Sequence, residues 1–163
     1  MKLTIEYSNK SLSNQKLDAI IVFIFENSGL TGSGLNSLPA ALKKNLNTSL
    51  KLKVFTGKKD TCQQLFSVHA NIPQILAVGV GKKREMNSET LRRAAGKAGK
   101  MLTSLKAKKI GYAVTSHLQS ERDLRIIPFR YSKLIFRKIK CLYADQMTTK
   151  KQIMRSVIVI TIS

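Results

Sequence analysis

Residues 18–25 read Asp-Ala-Ile-Ile-Val-Phe-Ile-Phe, an unbroken apolar run behind a single carboxylate. The run is far shorter than the ~20 residues a membrane helix needs. Rich in β-branched and aromatic side chains, it reads as a strand buried on both faces. Such a strand belongs in the middle of a sheet and needs cover above and below. Gln74-Ile-Leu-Ala-Val-Gly79, which follows Pro73, repeats the pattern. Two buried strands of this type predict helices packed on both sides of one sheet.

The helices that could supply the cover are legible. Between Ser88 and Ser104, Leu91, Ala94, Ala95, Ala98 and Leu102 recur at helical spacing, with Leu105 continuing the stripe. Arg93, Lys97 and Lys100 fall on the opposite face. Ser37 followed by Pro39 predicts an N-cap with proline in the first turn of a helix running to about Asn47. Tyr131, Leu134, Ile135, Ile139 and Leu142 predict a further helix, with Pro128 near its start. Lys2–Tyr7, Ile110–Thr115 and Ser156–Ile162 read as additional strands. Leu50–Phe55 and Gln64–Val68 read as two short strands on either side of a hairpin loop, Thr56-Gly-Lys-Lys-Asp60. The expected architecture is a three-layer α/β/α domain with a mixed, mostly parallel sheet, and residues 1–163 count as a single domain.

Composition narrows the function classes. The chain carries 29 Lys+Arg against 9 Asp+Glu, a formal charge of +20. Most of the excess lies in the second half: residues 1–81 hold 9 basic and 4 acidic residues, whereas residues 82–163 hold 20 and 5. An acidic partner is therefore expected there, although such an excess also serves solubility. No apolar stretch is long enough to span a bilayer, and the N-terminus has no secretory pattern. Two cysteines, Cys62 and Cys141, are too few for a disulfide framework, so a reducing cytoplasmic setting is expected.

Catalytic motifs fail on inspection. Gly79-Val-Gly81-Lys82 invites a phosphate-loop reading, but Leu76 and Lys83 stand where that motif needs glycine and a hydroxyl residue. Arg84 replaces the third glycine of a dinucleotide fingerprint. A tight strand-to-loop turn is the better reading. Gly32-Ser33-Gly34 could cradle an anion, but reads more simply as a connection. His69 and His117 lack ligand-spaced companions, and no Gly-x-Ser-x-Gly elbow occurs. Neither catalytic nor metal-ligating residues are assigned. Two basic sets remain as candidate anion or nucleic-acid sites. The first comprises Lys82, Lys83, Arg84, Arg92, Arg93, Lys97 and Lys100. The second comprises Arg130, Lys133, Arg137 and Lys140, with Lys138 beside them and Phe129, Tyr131, Phe136 and Tyr143 interleaved for stacking. A solvated helix face is the simpler explanation of each set.

The order of motifs resembles the N-terminal, non-catalytic domain of the leucyl aminopeptidases, also called cytosol aminopeptidases. Asp18-Ala19 opens the long apolar strand that ends in Phe25-Glu26. Phe55-Thr56-Gly57-Lys58 follows, then Ile75-Leu-Ala-Val-Gly-Val-Gly-Lys82 and the helix at Leu91-Arg-Arg-Ala-Ala-Gly96. The resemblance covers roughly residues 1–115. Phe129-Arg-Tyr-Ser-Lys133 and Ser156-Val-Ile-Val-Ile160 are loose counterparts of the family's later segments.

The resemblance implies a macro-domain-like fold. It also implies that the two divalent metals of the family, zinc or manganese, belong to a separate C-terminal peptidase domain whose signature has no counterpart here. No cofactor is expected for these residues. The expected role is an assembly or interaction module, or a truncated remnant, partnered by copies of itself or by a separate peptidase chain. A basic DNA-binding module is the first alternative. A small-ligand binder using the loops after Phe25 and Val80 is the second.

Overall fold

The computed structural model describes residues 3–8, 12–33, 35, 38–113 and 157–162. Six strands, β1 (Leu3–Ser8), β2 (Ala19–Phe25), β3 (Cys62–Phe66), β4 (Gln74–Gly81), β5 (Lys109–Ala113) and β6 (Val157–Ile162), form one sheet in the order β1-β6-β5-β2-β4-β3. β2 lies parallel to both β4 and β5. β3 is antiparallel to β4, and β6 runs antiparallel between β5 and β1. Four strands thus point one way and two the other, a mixed and mostly parallel sheet.

The apolar run behaves as its composition demands. All seven residues of β2 are buried, and their alternation divides the core in two. Ile21, Phe23 and Phe25 join Leu76, Val78 and Tyr112 on one face. There they meet Leu91, Ala94, Ala98 and Leu102 of helix α3 (Ser88–Ser104). Alanines on that stripe let the helix lie close to the sheet. Ile20, Val22 and Ile24 point the other way, toward helix α2 (Ala40–Lys51) with its Leu42 and Leu46, and toward Leu30, Leu35 and Phe55. Helices on both faces complete the three expected layers.

Helix α3 matches the sequence expectation in both bounds, and its start is chemically fixed. The Asn87 side chain accepts a hydrogen bond from the Thr90 backbone N–H at 2.8 Å, satisfying one of the donors a helix N-terminus leaves free.

Three local expectations need correction. Leu50–Phe55 is not a strand: Leu50 and Lys51 belong to α2, and the chain then turns through Lys53 in the left-handed region (φ 54°). The apparent alternation there has no buried face, since Leu52 and Val54 are 69% and 58% exposed. Pro39 does not sit inside the first turn of α2 but immediately before it, with ψ 147°. Ahead of Ser33, Gly29–Gly32 forms a single helical turn, α1. The strand expected at Gln64–Val68 is β3, Cys62–Phe66, which pairs with β4; with no strand at Leu50–Phe55, Thr56–Asp60 does not close a hairpin. The expected helix around Tyr131–Leu142 lies outside the described residues, as does Ser37.

Candidate functional site

In an α/β sheet, ligands usually bind beyond the carboxyl ends of the parallel strands. Here the chain's own backbone occupies that edge at β2 and β4. The Thr56–Thr61 segment runs across the ends of β2 and β4. Gly81 donates its N–H to the Gly57 carbonyl at 3.0 Å, and Gly79 donates to the Thr61 carbonyl at 2.9 Å. Glu26 donates to the Gly81 carbonyl at 2.9 Å, so the turn after β2 is tied to the same structure.

Glycine is needed on both sides of this seam. A Cβ at Gly79 would stand 2.0 Å from the Lys58 carbonyl oxygen and 2.3 Å from Thr61 Oγ1. One at Gly57, whose φ is +74°, would stand 2.7 Å from the Phe25 carbonyl oxygen. Gly79-Val-Gly81 is thus a close-packing device. Gly32-Ser33-Gly34 also turns inward at its serine: buried Ser33 Oγ accepts from the Phe25 N–H at 3.0 Å. The anion cradle considered for that stretch gains nothing, because α1 is four residues long and this serine already serves β2.

The same loop delivers Asp60 to α3. Asp60 adopts a left-handed backbone (φ 61°), and its Oδ2 lies 2.6 Å from Arg93 Nη2. Lys97 Nζ donates to the Asp60 carbonyl oxygen. With Gly96 and Lys100, these residues line an open depression of about 260 Å³ between α3 and the loop. Half-buried Cys62, the residue that opens β3, lies beside it. Its Sγ is 3.5 Å from Met101 Sδ. Burial pushes the Cys62 thiol up to about 11, with the Lys97 ammonium pulling weakly in the other direction. A thiol so disposed is almost wholly protonated at neutral pH and is a poor nucleophile or metal ligand.

The first basic set therefore divides. Arg93, Lys97 and Lys100 converge on the depression. Arg92 does not join them: it forms a two-pronged pair with Glu89, at 2.7 and 2.6 Å, and those hydrogen bonds strengthen its hold on its proton. Lys82 and Arg84 share Glu85, each at 3.8 Å, in a short 3-10 turn (Lys83–Glu85) that also contains Lys83. Exposed pairs like these contribute little to stability, but they do reduce the charge offered to an external anion. The second set, Arg130, Lys133, Arg137 and Lys140, lies outside the described residues, as do Lys138, its interleaved aromatics and Cys141. Asp60 was not singled out by sequence reasoning. Thirty-three residues separate it from Arg93, and no local pattern signals their pairing.

His69 takes a structural role, its Nδ1 accepting from the Asn71 N–H at 3.3 Å. Among the described residues no group of three or more His, Cys, Asp or Glu side chains is placed to hold a metal ion. Among the same residues no helix is long and apolar enough to cross a membrane.

Comparison with known proteins gives a consistent family match. The family described as "Cytosol aminopeptidase family, N-terminal domain" matches residues 21–127. A probable cytosol aminopeptidase of Trichormus variabilis is 37% identical over 113 residues, covering 67% of this chain and 22% of that protein. One from Ralstonia pickettii is 28% identical over 126 residues, covering 72% of this chain and 25% of the relative. The chain thus spans about a quarter of the length of these curated relatives.

Proposed function

The chain belongs to the cytosol aminopeptidase family through its N-terminal domain, and on that premise we propose that it acts as a non-catalytic assembly and interaction module in the cytoplasm. Its partners in this reading are further copies of itself or a chain carrying the peptidase site. The observation that carries the proposal is the seam at the sheet's carboxyl edge. The N–H groups of Gly79 and Gly81, which would greet a ligand in an open α/β site, are spent on Thr61 and Gly57. Strand ends covered by the chain's own backbone at β2 and β4 suit a rigid scaffold better than a binding cleft there. The same observation weighs against a small-ligand site formed by the loops after Phe25 and Val80. The pairing of Arg92 with Glu89 and of Arg93 with Asp60 weighs against the first basic set as a continuous phosphate-backbone track.

Two measurements test this reading. Sedimentation of the full chain, alone and mixed with a cytosol aminopeptidase catalytic chain, should reveal self-association or a mixed complex. Persistence as a monomer in both settings would overturn the assembly role. Incubation with leucine p-nitroanilide and Mn²⁺ or Zn²⁺ should give no turnover beyond the metal-only blank. Turnover above that blank would overturn the non-catalytic reading.

A further inference from the structure

We propose that the depression between α3 and the Thr56–Thr61 loop binds a phosphate group, either as inorganic phosphate or as a small phosphomonoester. The site shares the Thr56–Thr61 loop with the seam over the sheet edge but does not depend on the assembly reading. Arg93, Lys97 and Lys100 occupy positions i, i+4 and i+7 of α3, so one helix face presents all three cations. Gly96 lies among them and contributes no side chain, which leaves room between the cations. One carboxylate, Asp60, faces three positive groups, and the lining keeps two formal positive charges in excess.

Donor capacity is also in surplus. Arg93 commits Nη2 to Asp60, leaving the rest of a guanidinium fork that suits two oxygens of one phosphate. Lys100 has no charged or hydrogen-bonded partner among the described residues. The Asp60 Oδ2 contact at 2.6 Å demonstrates that an oxyanion oxygen reaches Arg93 here with good geometry.

Size and lining select the ligand. Pockets for drug-sized molecules hold roughly 300–1,000 Å³, so about 260 Å³ suits a hydrated phosphate or a compact ester. None of the lining residues is aromatic, so a nucleotide base would find no stacking platform. The recognised element is the phosphoryl group itself.

The test is a titration of the full-length ¹⁵N-labelled protein with inorganic phosphate, and separately with glycerol phosphate, at low ionic strength. Saturable shifts confined to the amides of Gly96, Lys97 and their loop neighbours are expected. Tighter binding of one compound identifies the natural source as free or esterified phosphate. The double variant Lys97→Met, Lys100→Met should weaken binding about tenfold or more, as expected for charge-assisted contacts. Asp60→Asn, which removes the competing carboxylate, should tighten it. Lys83→Met, outside the depression, should change nothing. The spectra report directly whether each variant is folded. Non-saturating shifts spread over the basic surface, or a folded double variant that binds like the parent, would overturn the site.

Discussion

Gly79→Ala probes the seam that closes the sheet edge. The new methyl would stand 2.0 Å from the Lys58 carbonyl oxygen, 2.3 Å from Thr61 Oγ1 and 2.8 Å from the Gly57 carbonyl carbon. Two of these three atoms are backbone, so no side-chain rotation relieves the clash. The strand is forced to shift, at an overpacking cost of about 1–3 kcal/mol, and the loop to lift away from it. Lifting the loop sacrifices the bonds from Gly79 to Thr61 and from Gly81 to Gly57, worth about 1 kcal/mol each. Both effects together give a loss of roughly 3–5 kcal/mol, a large share of the ~5–15 kcal/mol that holds a domain folded. At about 2–4 °C per kcal/mol for a chain of this size, Tm should fall by roughly 10 °C.

The assay is urea unfolding followed by far-UV circular dichroism, with Gly29→Ala as the control. Gly29 also has a positive φ (+60°), yet nothing lies within 4 Å of its would-be Cβ. Backbone strain alone should cost it about 1 kcal/mol. A Gly79→Ala midpoint within about 1 kcal/mol of the parent would refute the close-packing argument.

Other expectations follow from single contacts. Asn87→Ala should cost about 1 kcal/mol, read by the same unfolding assay, because it removes the cap on Thr90. Asp18 Oδ2 accepts from the N–H groups of both Lys108 and Lys109 at 2.8 Å; Asp18→Ala should cost about 1–3 kcal/mol and speed amide exchange at the start of β5. In a Cys141→Ser background, alkylation of Cys62 should keep accelerating with pH until about 11, whereas a thiol with the ordinary value would level off sooner. Lys97→Met should slow that reaction at any given pH, since it removes the charge that favours the thiolate. The raised thiol pKa adds stability that is fully present below pH 9.0 and is lost as pH climbs toward 11, so alkaline unfolding should ease in that window.

Periodicity and punctuation revealed most of the fold. β2, β4 and α3 were readable because burial on both faces, or on one stripe, leaves a pattern that composition alone enforces. The misread segment, Leu50–Phe55, shows the limit of that logic. Its leucine–lysine alternation imitates a half-buried strand, but Leu50 completes a helical stripe with Leu42 and Leu46, and Leu52 and Val54 face solvent. The candidate site was legible on one side only. Arg93, Lys97 and Lys100 stood out by helical spacing, whereas Asp60 depends on where a loop lands after crossing the sheet. That landing is set by Gly57 and Gly79, whose backbones approach too closely for any side chain, a relation between distant positions that no local window contains.

The strand order carries a consequence for synthesis on the ribosome. β6 is inserted between β5 and β1, so Leu3 pairs with Ile162, and among the described strands β1 is hydrogen-bonded only to β6. The β3-β4-β2-β5 portion, with α2 and α3 over its faces, can assemble as soon as Ala113 has emerged. β1 must wait for Val157–Ile162, an interval of several seconds at about 5–20 residues per second. During that interval β5 keeps one edge open, and the nascent chain carries two unsatisfied strand borders. Order of translation, and with it the chance of mispairing between neighbouring nascent chains, is thus written into the sheet.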